Sequence, residues 1–331
     1  SEQWERALGI MLDMHAHALQ ADMFCYNALI NACQKGAQWE LALGLLGEMR
    51  ERDLKPNVIS YSAANSACGK CGQWEWALWL LIEMQDYDLE ASVITFSAAI
   101  GACEQRKEWE RSLGVLAEMI DSDLEPNVIS GSAAISACEK SGQWEWALTM
   151  LMESRECELE ADVISYSATI SACDKSEEWE CPLVLLRGMK KCDLELDVLS
   201  YNSAISACEK REKWERALQI LAEIRDCHAE ADVISYSAAI SVCDKAKQPQ
   251  RALELFQGMQ QQRLTPNAIT YNAAISAFAN GKRSRMAVRL VSEMGRRGFT
   301  PDLFTYGAAI SACKAGMKPE QALGLLQGDR L

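Results

Sequence analysis

Three histidines, seven prolines and the absence of any long apolar run are as informative in this 331-residue sequence as what it contains. His15, His17 and His228 each fall in the last turn of a helical stretch or in the loop after it, where they cannot converge with a nucleophile and an acid. No phosphate-binding loop, dinucleotide fingerprint or Ser-His-Asp set is present, so no catalytic residue is assigned and the chain is expected not to be an enzyme. No stretch approaches the ~18 apolar residues of a membrane-spanning helix, and no basic-then-apolar signal opens the chain. Positive charge is scarce as well. With 33 Lys and Arg against 47 Asp and Glu the net charge is −14, which excludes attachment to nucleic acid through a uniformly basic surface and leaves room only for a local basic stripe.

Cysteine is plentiful, yet its 14 copies do not form a disulfide framework. Cys33, Cys68, Cys103, Cys138, Cys173, Cys208, Cys243 and Cys313 stand on a ladder with a step of 35 residues, and Phe278 fills the missing rung. Phenylalanine cannot replace half a disulfide, so the ladder marks a packing position in a reducing compartment. Cys68 and Cys71 form an isolated C-x-x-C without a second pair at metal-ligand spacing; no metal and no cofactor is expected.

The ladder is part of an internal period. Residues 23–302 hold eight complete repeats of 35 residues without insertion or deletion, starting at Met23, Val58, Val93, Val128, Val163, Val198, Val233 and Ala268. Residues 303–331 are a truncated ninth repeat, and residues 1–22 are the back part of an earlier one, because Trp4 aligns with Trp39, Trp74, Trp109, Trp144, Trp179 and Trp214. Both ends cut through repeats, so a longer natural chain is expected.

Counting columns 1 to 35 from each start, apolar or small residues at columns 1, 4, 7, 8, 10 and 11 fill one half of a first helix, as in Val198–Lys210. A second helix from near column 16 carries apolar residues at columns 17, 20, 21, 24 and 27, as in Trp39, Ala42, Leu43, Leu46 and Met49. Glycine or polar residues at columns 14 to 16 separate the two, and Pro56, Pro126, Pro266 and Pro301 in column 34 stop the second helix. Pro182 lies in the first turns of its helix and predicts a local distortion only. Helices of about 12 residues cannot bury their apolar faces alone, so the units must stack. The expected fold is all-α: a right-handed α-α superhelix, or solenoid, of about nineteen helices, with the Trp, Met and Cys ladders as its core.

The columns that packing does not explain form an arc on the first helix. Column 2 is Phe24, Ile59, Ile94, Ile129, Ile164, Leu199, Ile234, Ile269 and Phe304, an apolar row on an otherwise polar face, and such a row usually has a partner. Column 13 supplies Lys35, Lys70, Lys140, Lys175, Lys210 and Lys245 beside it. Most acids lie on the second helix, at column 18 (Glu40, Glu75, Glu110, Glu145, Glu180, Glu215) and column 26. Column 12, however, brings Glu104, Glu139, Asp174, Glu209 and Asp244 next to the lysines, which could simply pair with them. Apolar side chains that sandwich bases, polar ones that reach base edges and lysines that meet phosphates together suit single-stranded nucleic acid. Residues 282–331 add a separate basic balance, with nine Lys or Arg against four acids, fit for an RNA end or an acidic protein surface.

An aromatic at column 4, Ala-Leu in the second helix, Glu-Met near its end and Pro-Asn closing the unit resemble the pentatricopeptide repeat family, as in Tyr201-Asn202, Ala217-Leu218, Glu118-Met119 and Pro126-Asn127. The likeness covers essentially the whole chain; Trp in column 17 and Cys in column 11 depart from the common pattern and suggest a divergent lineage. The resemblance implies binding of single-stranded RNA, one base per repeat, with columns 5 and 35 choosing the base. The pairs are Asn27 with Asn57, Ser62 with Ser92, Ser97 with Asn127, Ser132 with Asp162, Ser167 with Asp197, Asn202 with Asp232, Ser237 with Asn267 and Asn272 with Asp302. Carried over repeat by repeat they imply 5′-Y-N-A-G-G-U-A-U-3′, about eight nucleotides, while Gly307 offers no side chain to read with. Column 35 also has a purely local explanation, since Asp, Asn and Ser directly before a helix are N-caps worth ~1 kcal/mol each. Function is expected to be that of a non-catalytic RNA adaptor in an organelle, the plastid favoured slightly over the mitochondrion. The alternative is a scaffold subunit whose groove or acidic wall holds protein.

Overall fold

The computed structural model describes residues 3–315 apart from 18, 20, 157–161, 177, 193, 195 and 227–230. They form eighteen helices and, among the described residues, no strand. The helices are α1 (Gln3–Ala16), α2 (Met23–Lys35), α3 (Trp39–Glu51), α4 (Val58–Lys70), α5 (Trp74–Asp86), α6 (Val93–Arg106), α7 (Trp109–Asp121), α8 (Val128–Lys140), α9 (Trp144–Glu156), α10 (Val163–Lys175), α11 (Glu180–Lys191), α12 (Val198–Lys210), α13 (Trp214–Asp226), α14 (Val233–Lys245), α15 (Pro249–Gln261), α16 (Ala268–Asn280), α17 (Ser284–Arg296) and α18 (Leu303–Ala315). The helix expected to follow α18 lies outside the described residues. Two compact units are present, residues 1–172 and residues 173–331, and the division falls inside α10.

Even-numbered helices from α2 are the first helices of the repeats. In the first unit α2, α4, α6 and α8 pack successively on one another, each also on its own second helix; in the second unit α12, α14 and α16 do the same, and α18 packs on α16 and α17. Among the described residues seven hairpins turn through a left-handed residue in column 15: Ala37, Gly72, Lys107, Gly142, Glu212, Lys247 and Lys282 all have φ between 53° and 71°. The following N–H returns to the cysteine carbonyl, as in Gln38 N–H to Cys33 O at 2.9 Å and Gln73 N–H to Cys68 O at 3.0 Å. These bonds satisfy carbonyls that a helix end leaves unpaired.

The core consists of the column-4 aromatics (Tyr26, Tyr61, Phe96, Tyr166, Tyr201, Tyr236 and Tyr271), the column-8 isoleucines, the cysteine ladder and, near the end of the second helices, Met49, Met84, Met119, Met189, Ile224, Met259 and Met294. Burial pushes the ladder thiols up to about 11 for Cys33, Cys138, Cys208 and Cys243 and about 12 for Cys68, Cys103 and Cys173, so they remain neutral packing groups. The tryptophans differ from the core placement expected of them, being only half-buried. They lie over the hairpin turn of the next repeat: Lys213 Nζ sits 5.0 Å above the Trp179 ring. At Gly36 a Cβ would come within 2.4 Å of the Trp4 ring. Pro182 shifts its helix by one residue, so that Trp179 becomes the residue before α11 instead of its first member.

A second set of ties runs between neighbouring second helices. Arg50 pairs with Glu83, Gln85 donates to Glu118 at 2.6 Å and Lys190 meets Glu223 at 3.0 Å. Glu83, Glu118 and Glu223 of column 26 therefore serve as acceptors for the preceding repeat.

Candidate functional site

All eight column-35 side chains cap the helix that follows. The backbone N–H three residues on donates to Asn57, Ser92, Asn127, Asp162, Asp197, Asp232, Asn267 and Asp302 at 2.8–3.4 Å. At Asn57, Asn127, Asp232 and Asn267 the box is closed, because the third residue's hydroxyl accepts the cap's own N–H. Capping fixes each side chain in place at the mouth of the first helix.

The third-column hydroxyls were not singled out from the sequence, yet they organise this edge. Ser60, Thr95, Ser130, Ser165, Ser200, Ser235, Thr270 and Thr305 are all buried. Several reach back across the layer to column 5 of the preceding repeat: Ser60 to Asn27, Ser235 Oγ to Asn202 Oδ1 at 2.6 Å and Thr305 Oγ1 to Asn272 Oδ1 at 2.7 Å. Thr95 and Ser62 share a hydroxyl bond of 2.9 Å, and Thr270 and Ser237 one of 2.6 Å. Ser or Thr in eight successive repeats, three places after each cap, was the available signal.

Columns 5 and 35 thereby converge. Asn27 Nδ2 donates to Asn57 Oδ1 at 3.4 Å, and Asn202 Nδ2 to Asp232 Oδ1 at 3.3 Å. Four of the five column-5 serines turn the hydroxyl along their own helix, Ser97, Ser167 and Ser237 donating to the carbonyls of Val93, Val163 and Val233 and Ser132 to that of Ile129. Burial pushes the Asp232 carboxyl up, but the Ser235 N–H and hydroxyl and the Asn202 amide outweigh it and hold the group below its ordinary value. Asp302 is lowered by the Thr305 hydroxyl and N–H.

The column-2 row is exposed throughout. Phe24, Ile59, Ile94, Ile129, Ile164, Leu199, Ile234, Ile269 and Phe304 each leave between 60% and 79% of their surface in solvent. In the first unit a groove of about 370 Å³ is lined by Ile94 and Ile129, by Ser97 and Asn127, and by Gly69, Gly101 and Lys70.

Column 13 reaches column 12 of the preceding repeat, and what it finds there varies. Lys70 Nζ donates to the Gln34 carbonyl and Gln105 to the Gly69 carbonyl, both at 3.0 Å. Lys140 instead meets the Glu104 carboxylate at 2.9 Å, Lys245 meets Glu209 at 3.0 Å, and Lys210 lies 3.9 Å from Asp174 Oδ1 while bonding that residue's carbonyl. Asn280 donates to Asp244 at 2.8 Å. Lys35 and Lys175 are exposed on the same face. Of the basic residues near the end of the chain, Arg283 bonds Gln250 and Arg297 pairs with Glu293 at 3.3 Å, while Lys318 and Arg330 lie outside the described residues.

Among the described residues no three His, Cys, Asp or Glu side chains cluster as metal ligands, and no helix is long and apolar enough to cross a membrane. Cys71 donates its thiol to the Ala37 carbonyl at 3.1 Å. The His17 ring bonds the Asp13 carbonyl at 2.8 Å, whereas the side chains of His15 and His228 lie outside the described residues.

Several families of repeat match the chain. The pentatricopeptide repeat domain matches residues 79–141, 115–176, 184–246 and 227–281, the PPR repeat family residues 21–64 and 266–315, and a PPR repeat residues 59–89. Among solved structures the chain is similar to the pentatricopeptide repeat protein PPR10 from maize, at 18% identity and a TM-score of 0.57, over 98% of this chain and 52% of that one. It is similar, again at 18% identity and with a TM-score of 0.53, to PPR10 in complex with an 18-nt psaJ RNA element, over 98% of this chain and 51% of that one. The chain thus spans about half the length of these solved relatives, and at this identity the likeness is one of fold, an α-solenoid. No curated protein matches it. With the pentatricopeptide repeat domain matching more than half of its residues, and a 35-residue helical hairpin as its building unit, the chain belongs to the pentatricopeptide repeat family.

Proposed function

We propose that this protein binds single-stranded RNA with one base per repeat. The observation that carries the reading is the alternation, along one face, of exposed column-2 side chains with column-35 side chains already locked by capping and bridged to column 5. A base inserted between two column-2 residues, such as Ile94 and Ile129, meets polar atoms at the edge that need no ordering on binding. Capping consumes one oxygen of each Asn or Asp and leaves its second polar atom for a base edge, so the local and the reading roles of column 35 are compatible. The solved complex of PPR10 with an RNA element supports the same ligand class.

The pairs assign 5′-Y-N-A-G-G-U-A-U-3′, and the protein acts as a non-catalytic adaptor in an organelle, the plastid before the mitochondrion. Lys35, Lys70, Lys140, Lys175, Lys210 and Lys245 are assigned to the phosphates. The test is binding of 5′-UUAGGUAU-3′ against its shuffled version at moderate salt. A preference of about tenfold or more, with affinity falling as salt rises, is expected; equal binding of the two sequences refutes the reading. A scaffold role is the second reading, favoured by Trp76, Trp79 and Trp146, which stand exposed on second helices among acids. A protein seated on that wall in the purified complex, with no RNA present, is what it requires.

A further inference from the structure

The RNA-facing edge differs from repeat to repeat in a way the base-choosing columns do not record, and the difference lies in column 12. Where that position is Gln34 or Gly69, the donor of the next repeat hangs on a neutral backbone carbonyl. No column-12 carboxylate therefore stands opposite Lys70, which lines the groove with Ile94. At Glu104 and Glu209 the same donor is held by a carboxylate, Lys140 by Glu104 and Lys245 by Glu209, while Lys210 bonds the Asp174 carbonyl and lies 3.9 Å from its carboxylate. The carboxylate is gripped from a second side, for the column-9 hydroxyl of the following repeat donates to it. Ser171 reaches Glu139 at 2.9 Å and Ser241 reaches Glu209 at 2.6 Å. Asp174 and Asp244 sit deep enough that burial raises them, opposed by the hydroxyls of Ser206 and Ser276 respectively. In the third repeat column 9 is Gly101, at which an added Cβ would meet nothing within 4 Å, and here the groove opens.

We propose that the column-12 acids Glu104, Asp174 and Glu209 are negative determinants of RNA affinity: each holds the lysine of the following repeat in an ion pair and withholds it from a phosphate. The proposal rests on the RNA-binding reading above. RNA is then gripped chiefly where column 12 is neutral, around Lys70 and the groove between Ile94 and Ile129, and only lightly along the acid-latched repeats. A phosphate that approaches Lys140, Lys210 or Lys245 must displace a carboxylate already in place, which cancels the Coulomb gain and the counterion release that such a contact would bring.

The experiment compares three forms of the chain with 5′-UUAGGUAU-3′ and its shuffled version across a salt series: the native protein, the triple variant Glu104→Gln, Asp174→Asn, Glu209→Gln, and the control triple Glu75→Gln, Glu145→Gln, Glu215→Gln. The two triples change net charge equally, but the control acids are exposed on second helices. The amides keep the shape and the serine bonds, and a thermal unfolding curve for each form checks folding; Glu209→Gln alone, which releases only Lys245, serves if the triple is unstable. The groove triple is expected to bind on the order of tenfold more tightly at fixed salt, with a log–log salt slope steeper by about 0.7 for each lysine released. Native affinity and slope in that variant, or an equal gain in the control, overturn the latch, and retained discrimination between the two RNAs leaves the RNA reading standing. Failure of every form to distinguish the RNAs overturns that reading and the latch with it.

Discussion

The two compact units are built from the same repeat and have spent their irregularities differently. In the first unit, column 8 holds Asn65 where every other repeat has isoleucine, column 20 holds Ser112, and column 4 of the fourth repeat is Gly131 in place of an aromatic. Asn65 and Ser112 are fully buried, and their polar side-chain atoms have no partner among the described residues. The same unit contains the open groove at Gly69 and Gly101. In the second unit columns 4 and 8 are unbroken from Tyr201 and Ile205 to Tyr271 and Ile275. There column 12 is acidic in three successive repeats, with Asp174 and Glu209 near Lys210 and Lys245 and Asp244 accepting from Asn280. The groove and the core irregularities thus fall in the same unit. In a stack where each layer touches only its neighbours, a defect in one layer is tolerated without disturbing the register of the rest.

The strongest way to break the comparison is to repair the first unit. Asn65→Ile removes an amide buried without a hydrogen bond and supplies the side chain that the other repeats carry at the same place. Burying such an amide costs about 1–3 kcal/mol by mutational measure, and the isoleucine adds apolar burial, so a gain of about 2–4 kcal/mol is expected in denaturant unfolding. A loss of stability would mean that Asn65 has a partner the described residues do not show.

A smaller effect is expected from two glycines of the same unit with opposite surroundings. A Cβ on Gly69 would lie 2.6 Å from the Ala98 carbonyl oxygen, so Gly69→Ala forces α4 and α6 apart and should cost about 1–3 kcal/mol. At Gly131 the nearest atom to a new Cβ is Ser154 Oγ at 3.9 Å; Gly131→Ala relieves a flexible residue inside a helix and should stabilise by about 0.5–1 kcal/mol. Thermal unfolding of the two variants in parallel reads the difference in sign.

The period of 35, the two helices and most of the core were legible because each depends on spacing alone: Ala42, Leu46 and Met49 are one face of α3 whatever their neighbours do. The exposure of the column-2 row was legible for the same reason, in that columns 2, 5 and 9 fall outside the arc filled by columns 1, 4 and 8. What the chain order could not reveal are contacts made between layers. The Ser235 hydroxyl bridges Asp232 and Asn202, 33 residues away, and Lys245 finds Glu209 rather than its own neighbour Asp244. The half-burial of the tryptophans has the same origin, because it depends on where the next hairpin turn lies.

Base choice offers a third test, set within the second unit. Asn202 is 8% exposed, with its amide on Asp232 and its carbonyl oxygen taking the Ser235 hydroxyl. Asn202→Ser leaves Asp232 capped and makes the sixth repeat resemble the fourth and fifth, Ser132 with Asp162 and Ser167 with Asp197. In a binding array the preferred base at that position should move from uracil towards guanine by roughly tenfold, at the lower end of what one good base contact contributes. An unchanged preference refutes the assignment of columns 5 and 35 while leaving the fold untouched.

The smallest effect separates two carboxylates of the second unit by pH. Asp232 is held below its ordinary value of 3.8 by the cap and by Asn202, so the stability it contributes is present above pH 3.8 and lost as the pH falls through its folded value. Asp244 is raised by burial, with Ser276 and Asn280 opposing, so its contribution is full below pH 3.8 and lost as the pH rises through its folded value. Asp232→Asn, which keeps a capping oxygen, should therefore flatten the acid limb of the stability curve, whereas Asp244→Asn should match the native protein at low pH and exceed it towards neutrality. Unfolding midpoints measured from pH 3 to pH 7 give two curves that meet the native one in acid and depart from it towards neutrality in opposite directions, Asp232→Asn below and Asp244→Asn above. An Asp244 variant that falls below the native protein towards neutrality would mean that the column-12 carboxylates stabilise the stack as anions, and that the latch is part of the fold's own stability.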